Sequence, residues 1–204
     1  MLYNNMVKSY SQEAQDLKVL LHYKLKKGGY FLEIGASDGI KFSNTYLLEK
    51  EYNWSGICVE PIKYDYDKLI TNRSCHCNNM AVYSKSDEEL EFDIYDYNLL
   101  SGLSKHISTY SGQSIKEKVI VKTITLIDLL DKFNAPSFIE YMSLDTEGSE
   151  YEILRVFDFS RYKFGLIHVE HNYEEPKRQL IKELLLQNGY KYIGEHKQDD
   201  FYCL

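Results

Sequence analysis

Near-continuous apolar runs alternate along this chain with segments whose apolar positions recur every three or four residues. The runs read as buried strands, the periodic segments as amphipathic helices. Residues 11–27 put Leu17, Leu20, Leu21 and Leu25 on one predicted helical face, which Gly28-Gly29 ends. Phe31 to Ile34 follows as a strand. Ser43-Asn44-Thr45 carries capping residue types before a helix with Leu47-Leu48 inward. Gly56 to Val59 is a strand, 62–73 a helix with Tyr66, Leu69 and Ile70 inward, and 75–82 a third strand.

The alternation breaks over 86–123. Leu90, Phe92 and Ile94 alternate with acids like an edge strand, and Val119, Val121 and Thr123 alternate again. Between them lies a polar loop, Ser101-Gly102-Leu103-Ser104. This region predicts an excursion, a hairpin with a loop that covers the site. Thr125 then caps a helix in a Thr-x-x-Asp box with Asp128. Phe138 to Leu144 is apolar enough for a central strand. A helix carrying Tyr151, Ile153, Leu154 and Val156 follows. Next come the strand Phe164 to Val169 and a helix over 175–188 with Leu180, Ile181, Leu184 and Leu185, closed by Gly189. Two last strands turn near Gln198-Asp199-Asp200.

Strands alternating with helices predict an α/β fold: one doubly wound, seven-stranded, Rossmann-like sheet, mostly parallel, with an antiparallel C-terminal hairpin. At 204 residues the chain suits one domain spanning 1–204, with a helical segment over 1–30. The net charge of −7 argues against a nucleic-acid groove. The four cysteines show no disulfide or zinc spacing. Residues 1–5 show no leader, and no run is long enough to span a bilayer. A reducing, cytoplasmic compartment is the expectation.

The candidate chemistry sits at strand ends. The first strand runs into Glu33-Ile34-Gly35-Ala36-Ser37-Asp38-Gly39, and the second into Glu60-Pro61. Ligands of open α/β sheets gather at such carboxyl ends, and an acid after the second strand can accept from ribose hydroxyls. A dinucleotide loop needs G-x-G-x-x-G, whereas this loop is Gly35-x-x-x-Gly39. That spacing suits a nucleoside without phosphates, such as S-adenosylmethionine. Glu33 would pair with its ammonium group, and the backbone at Ala36 and Ser37 would carry its carboxylate. Four strands end in acids, Glu33, Glu60, Asp145 and Glu170, and such a rim calls for a cationic ligand.

Methyl transfer to oxygen requires a base for the hydroxyl proton. Asp145, Glu147 and His171 are the candidates. His171 has the suitable intrinsic pKa. Asp145 has two other uses: contact with the cofactor amino group, or holding a divalent metal with His171 and Glu170. No metal is assigned from sequence. Glu147 has a further reading as a helix N-terminal acid.

Together, the run from Phe31 to Gly39, Ser43-Asn44-Thr45 with Leu48-Glu49, Val59-Glu60-Pro61, the segment 79–82, and Ser143-Leu-Asp-Thr-Glu-Gly-Ser-Glu150 resemble the FkbM family of S-adenosylmethionine-dependent O-methyltransferases. The resemblance covers residues 11–172. It differs where the family usually has Asp at position 33 and Asn at position 37. It implies that Glu33, Gly35, Ala36 and Gly39 hold the methionine part, with Ser37 and Pro61 also on the cofactor. Glu60 would take the ribose, Ala81 would lie by the adenine, and Asn44 would cap a helix near the carboxylate. Asp145 and Glu147 would face the acceptor, a hydroxyl of a sugar, glycan or glycosylated small molecule. The competing readings are a catalytically silent binding module of the same fold, an RNA methyltransferase, and a nicotinamide oxidoreductase, which the missing third glycine disfavours.

Overall fold

The apolar runs become the strands of a seven-stranded sheet in the computed structural model, which describes residues 7–107 and 114–204. The leader reading on residues 1–5 and the middle of the excursion, 108–113, lie outside the described residues. In chain order the elements are α1 (Gln15–His22), β1 (Tyr30–Ile34), α2 (Tyr46–Tyr52), β2 (Ser55–Val59), α3 (Lys63–Asn72), β3 (His76–Asn78), β4 (Ala81–Val82), β5 (Glu89–Tyr95), β6 (Gly102–Leu103) and β7 (Ile115–Ile124). There follow α4 (Leu126–Lys132), β8 (Phe138–Leu144), α5 (Glu150–Leu154), β9 (Lys163–Glu170), α6 (Lys177–Gln187), β10 (Lys191–His196) and β11 (Asp199–Cys203).

The large sheet has the order β10-β11-β9-β8-β1-β2-β3, and β11 runs antiparallel to both its neighbours. The order reverses between β1 and β8, so their carboxyl ends open a crevice there. Because side chains alternate along a strand, each strand feeds two cores. Phe31, Cys58, Tyr141 and Leu166 pack under α1, α2 and α3, with Val19, Leu47, Leu48 and Leu69. Leu32, Ile57, Met142, Ile167 and Val169 pack under α4, α5 and α6, with Leu129, Ile153, Ile181 and Leu185.

The excursion is a second sheet of order β4-β7-β5-β6. The expected strand over 75–82 is therefore two strands in two sheets. Asn79 explains the break: its Nδ2 donates to the carbonyls of Glu60 (2.7 Å) and Pro61 (3.0 Å), which turns the chain off the large sheet. The Thr125 cap forms as expected, accepting from the Asp128 N–H at 3.1 Å.

Helix α1 is shorter than its apolar pattern predicts. Val19 and Leu20 are buried, but Leu21 is 73% and Leu25 54% exposed. Lys24 and Leu25 take positive φ, so the helix ends before Leu25 can join its face. Ile70 and Val156 also face outward. The C-terminal turn falls at Lys197-Gln198, one step before the expected place, leaving Asp199 and Asp200 in β11. Among the described residues no helix is long and apolar enough to cross a membrane.

Candidate functional site

The tips of β1, β2 and β8 are tied together by backbone. The N–H groups of Gly35 and Ala36 both donate to the Val59 carbonyl, and the Asp145 N–H donates to the Ile34 carbonyl. Gly35 has φ +88°, and a Cβ there would lie 2.2 Å from the Asp145 carbonyl oxygen. Only glycine permits that approach. Beyond these tips lies a cavity of about 170 Å³, open to solvent.

Gly35, Ala36, Ser37, Asn44, Glu60, Pro61, Ala81, Asp145 and Glu147 all line this cavity. Glu60 is held from both sides, its oxygens accepting from the Ser37 N–H at 2.9 Å and the Ile62 N–H at 2.8 Å. A carboxylate offers about four acceptor positions, so roughly two remain for a ligand. Burial pushes Glu60 up to about 7 against the pull of those N–H donors, and Asp65 adds to the rise.

Three expected site residues are elsewhere. Glu33 is 2% exposed and does not line the cavity. Its Oε1 accepts from the Asn44 N–H at 2.5 Å, and its Oε2 from Ser43 Oγ (2.9 Å), Thr45 Oγ1 (2.5 Å) and Arg73 (3.3 Å). With both oxygens occupied, Glu33 has no room for a cofactor ammonium group. It positions the Ser43-Asn44-Thr45 triplet instead. Gly39 also stands off the cavity, its carbonyl accepting from Arg73 at 3.2 Å. Asn44 does reach the cavity, while its Nδ2 donates to Ser143 Oγ at 2.9 Å.

His171 is the third correction. It shares strand parity with Ile167 and Val169, so it points toward α6 and away from the cavity. There Nδ1 accepts from the Tyr173 N–H at 3.0 Å, and Nε2 lies 3.7 Å from Asp200, which Arg178 also binds. Burial holds its pKa below the ordinary histidine value.

The opposite parity brings His168 and Glu170 to the cavity in its place. His168 Nδ1 is 3.0 Å from the Tyr141 hydroxyl. Its Nε2 is 3.0 Å from Asp199 Oδ2, off the line of an ideal hydrogen bond. The ring stacks on Phe201 with 4.8 Å between centroids. Burial raises Asp199, but hydrogen bonds and charge from His168 and Gln15 outweigh it and leave the carboxyl below its ordinary value. Counting in twos from Glu170 is the sequence signal for His168; Asp199 is foreshadowed by nothing local.

Asp145, Glu147 and Glu170 form the cavity's acidic floor, each offering an oxygen within 4.8 Å of the others. The Asn172 amide donates to Glu147 at 3.0 Å and to Glu170 at 2.8 Å. Burial raises both Asp145 and Glu170, and their mutual repulsion lifts Glu170 further, so the pair retains a proton near neutral pH. Glu147, and not His171, stands with Asp145 and Glu170. The loop carrying these acids is shaped by Glu150, which accepts from the N–H groups of Thr146 (2.8 Å) and Gly148 (3.1 Å). From the excursion, Tyr97, Asn98 and Ser101 complete the wall, with Lys41 and Phe42 beside the glycine turn.

A doubly wound sheet with a carboxylate at the second strand tip marks a nucleoside-binding α/β protein. The chain belongs to the FkbM methyltransferase family: residues 33–192 match the Methyltransferase FkbM domain. The fold is similar to that of precorrin-6y C5,15-methyltransferase from Geobacter metallireducens GS-15. The TM-score is 0.51 at 11% identity, over 96% of this chain and 89% of that one. It is also similar to the METTL16 methyltransferase domain, with a TM-score of 0.50 at 10% identity, over 92% of this chain and 62% of that one. No curated protein sequence matches it.

Proposed function

We propose that this protein transfers a methyl group from S-adenosylmethionine to a hydroxyl oxygen of a sugar, glycan or glycosylated small molecule. The observation that carries the reading is the shared cavity of Glu60 and the Asp145–Glu147–Glu170 floor. One end offers a ribose acceptor, the other a proton acceptor.

The cavity residues fit the cofactor. The unused acceptor positions of Glu60 suit two ribose hydroxyls, Ala81 and Pro61 suit the flat faces of an adenine, and the Gly35 turn admits the methionine chain. Its ammonium group then falls to the acidic floor rather than to Glu33. When bound, the sulfonium supplies an electrophilic methyl group. The protein's part is to hold the acceptor oxygen in line and to receive its proton. Asp145 suits that task, because burial lifts its proton affinity toward neutral pH, and Glu147 stands beside it. Phe42 and Tyr97, with Asn98 and Ser101 nearby, suit a ring with apolar faces and hydroxyl edges.

The test incubates the chain with isotopically labelled methyl donor and a panel of neutral glycans and glycosylated metabolites, followed by mass spectrometry. A label on a hydroxyl oxygen is the expected result. Calorimetric silence toward both S-adenosylmethionine and its demethylated product would end the reading. Cofactor binding without label on any acceptor would favour the binding-module alternative.

A further inference from the structure

Cys58 and Cys75 hold their sulfurs 3.6 Å apart, with Cys77 beside them. Register explains the cluster. Glu33, Cys58 and Cys77 are laterally paired across β1, β2 and β3, and Cys75 lies two residues before Cys77. Strand β3 is the edge of the large sheet, and Cys75 sits in the bend leading into it. Cys58 is fully buried, whereas Cys75 and Cys77 are partly exposed. All four cysteines are free thiols.

We infer that Cys58 and Cys75 form an oxidisable dithiol, closed to a disulfide by a peroxide, whose closure weakens the cofactor site. Sulfur atoms in a disulfide are about 2.05 Å apart, so closure needs a movement of roughly 1.5 Å, which the bend at Cys75 can supply. Cys58 is fully buried and Cys75 partly exposed, so Cys75 is the sulfur that meets the oxidant. Against the pull of the Cys58 contact, the Cys77 contact and burial hold its thiol above the ordinary value. The Cys75 thiol gives up its proton as it takes one oxygen from hydrogen peroxide, giving a sulfenic acid and water. The Cys58 thiol then attacks that sulfur, the S–S bond forms, and water leaves. In sum, two thiols and one peroxide give one disulfide and two waters; the sulfurs are oxidised and the peroxide reduced.

Closure reaches the cavity through Glu33. The Cys58 thiol donates to Glu33 Oε2 at 3.6 Å and lies 3.9 Å from Thr45 Oγ1. Drawing it toward Cys75 removes that donor. It also pulls on Arg73, two residues before Cys75, whose guanidinium holds Glu33, the Gly39 carbonyl and Ser43. Those contacts position Asn44 and the glycine turn. This part rests on the cofactor reading above.

The experiment treats the full chain with hydrogen peroxide, blocks remaining thiols with N-ethylmaleimide and maps them by mass spectrometry. A 2 Da loss is expected, with two of the four thiols protected and a peptide pair linking Cys58 to Cys75. Affinity for S-adenosylmethionine should fall about tenfold, the scale of one hydrogen bond to a charged group, and return with dithiothreitol. Cys75→Ser should prevent both changes, and Cys203→Ser should prevent neither. Should Cys58→Ala fail to fold, the partly exposed Cys75 position still decides. Four free thiols, or a pair that omits either named cysteine, would overturn the dithiol. An affinity equal in both redox states would overturn the coupling. A reduced chain that binds no cofactor would sink the functional reading instead, with the thiol map still legible.

Discussion

The guanidinium of Arg73 lies 3.3 Å from Glu33 across 40 residues of sequence, and both side chains are buried. Arg73 also donates to Glu49 at 2.7 Å and to Thr45 Oγ1 at 2.8 Å. It is thus the cation that pairs the buried Glu33 and the partly buried Glu49. Arg73→Met leaves Glu33 buried without its cation, and removing one partner of a buried pair costs about 3–5 kcal/mol. Urea unfolding should show a loss of that size. A loss below about 1 kcal/mol would mean that the network does not anchor the first βα turn.

Gly35→Ala should damage the same region by another route. The methyl group meets the Asp145 carbonyl, and the residue must also hold a positive φ. The backbones at the tips of β1 and β8 must separate, which disturbs Gly35 and Asp145 together. The expected outcome is a lower unfolding midpoint and weaker cofactor binding in one variant. Ser37→Ala is the comparison: Ser37 acts on Glu60 through its backbone N–H, so affinity should stay within about twofold.

The succession of strands and helices along the chain and the acids near the strand ends were legible because each rests on local pattern. What periodicity alone could not settle was where a given acid points. Glu33 and Glu60 both stand near strand ends, yet Arg73 claims the first, and nothing around position 33 announces a guanidinium 40 residues away. His171 was legible in principle: it shares the parity of Ile167 and Val169, whose faces are buried beneath helices. The split of 75–82 between two sheets rests on the Asn79 side chain reaching the backbone of β2's exit, a tertiary contact. Asp199 joins the cavity only through sheet closure by β11.

Glu60 predicts a pH dependence of binding. Ribose hydroxyls donate, so the ionised carboxylate is the competent form. Its pKa in the fold is about 7, above the ordinary carboxylate value, because burial disfavours the charge. Affinity should therefore rise with pH, by about tenfold between pH 6 and pH 8, as the ionised fraction grows. Stability runs the other way. The folded chain holds this proton more tightly than the unfolded chain, so the contribution of Glu60 falls as pH rises from about 4.5 to about 7. Calorimetric titrations of wild type and Glu60→Gln at both pH values separate this group from titrations on the ligand. A wild-type profile as flat as that of Glu60→Gln would remove Glu60 from the ribose site.

Asp145 and His171 offer the sharpest contrast, because both end core strands and only one faces the cavity. Asp145→Asn keeps the shape and removes the proton acceptor. General-base catalysis contributes about 10²–10⁴-fold, so kcat should fall by at least the lower figure. Cofactor affinity should change less than turnover, since Glu60 and the Gly35 turn are untouched. His171→Gln should leave kcat within about threefold of wild type, its cost appearing as lost stability where it packs near Asp200 and Arg178. Single-turnover rates with a saturating acceptor are the measurement. If His171→Gln silences turnover while Asp145→Asn does not, the proton leaves by the α6 side of β9, and the acidic floor serves binding alone.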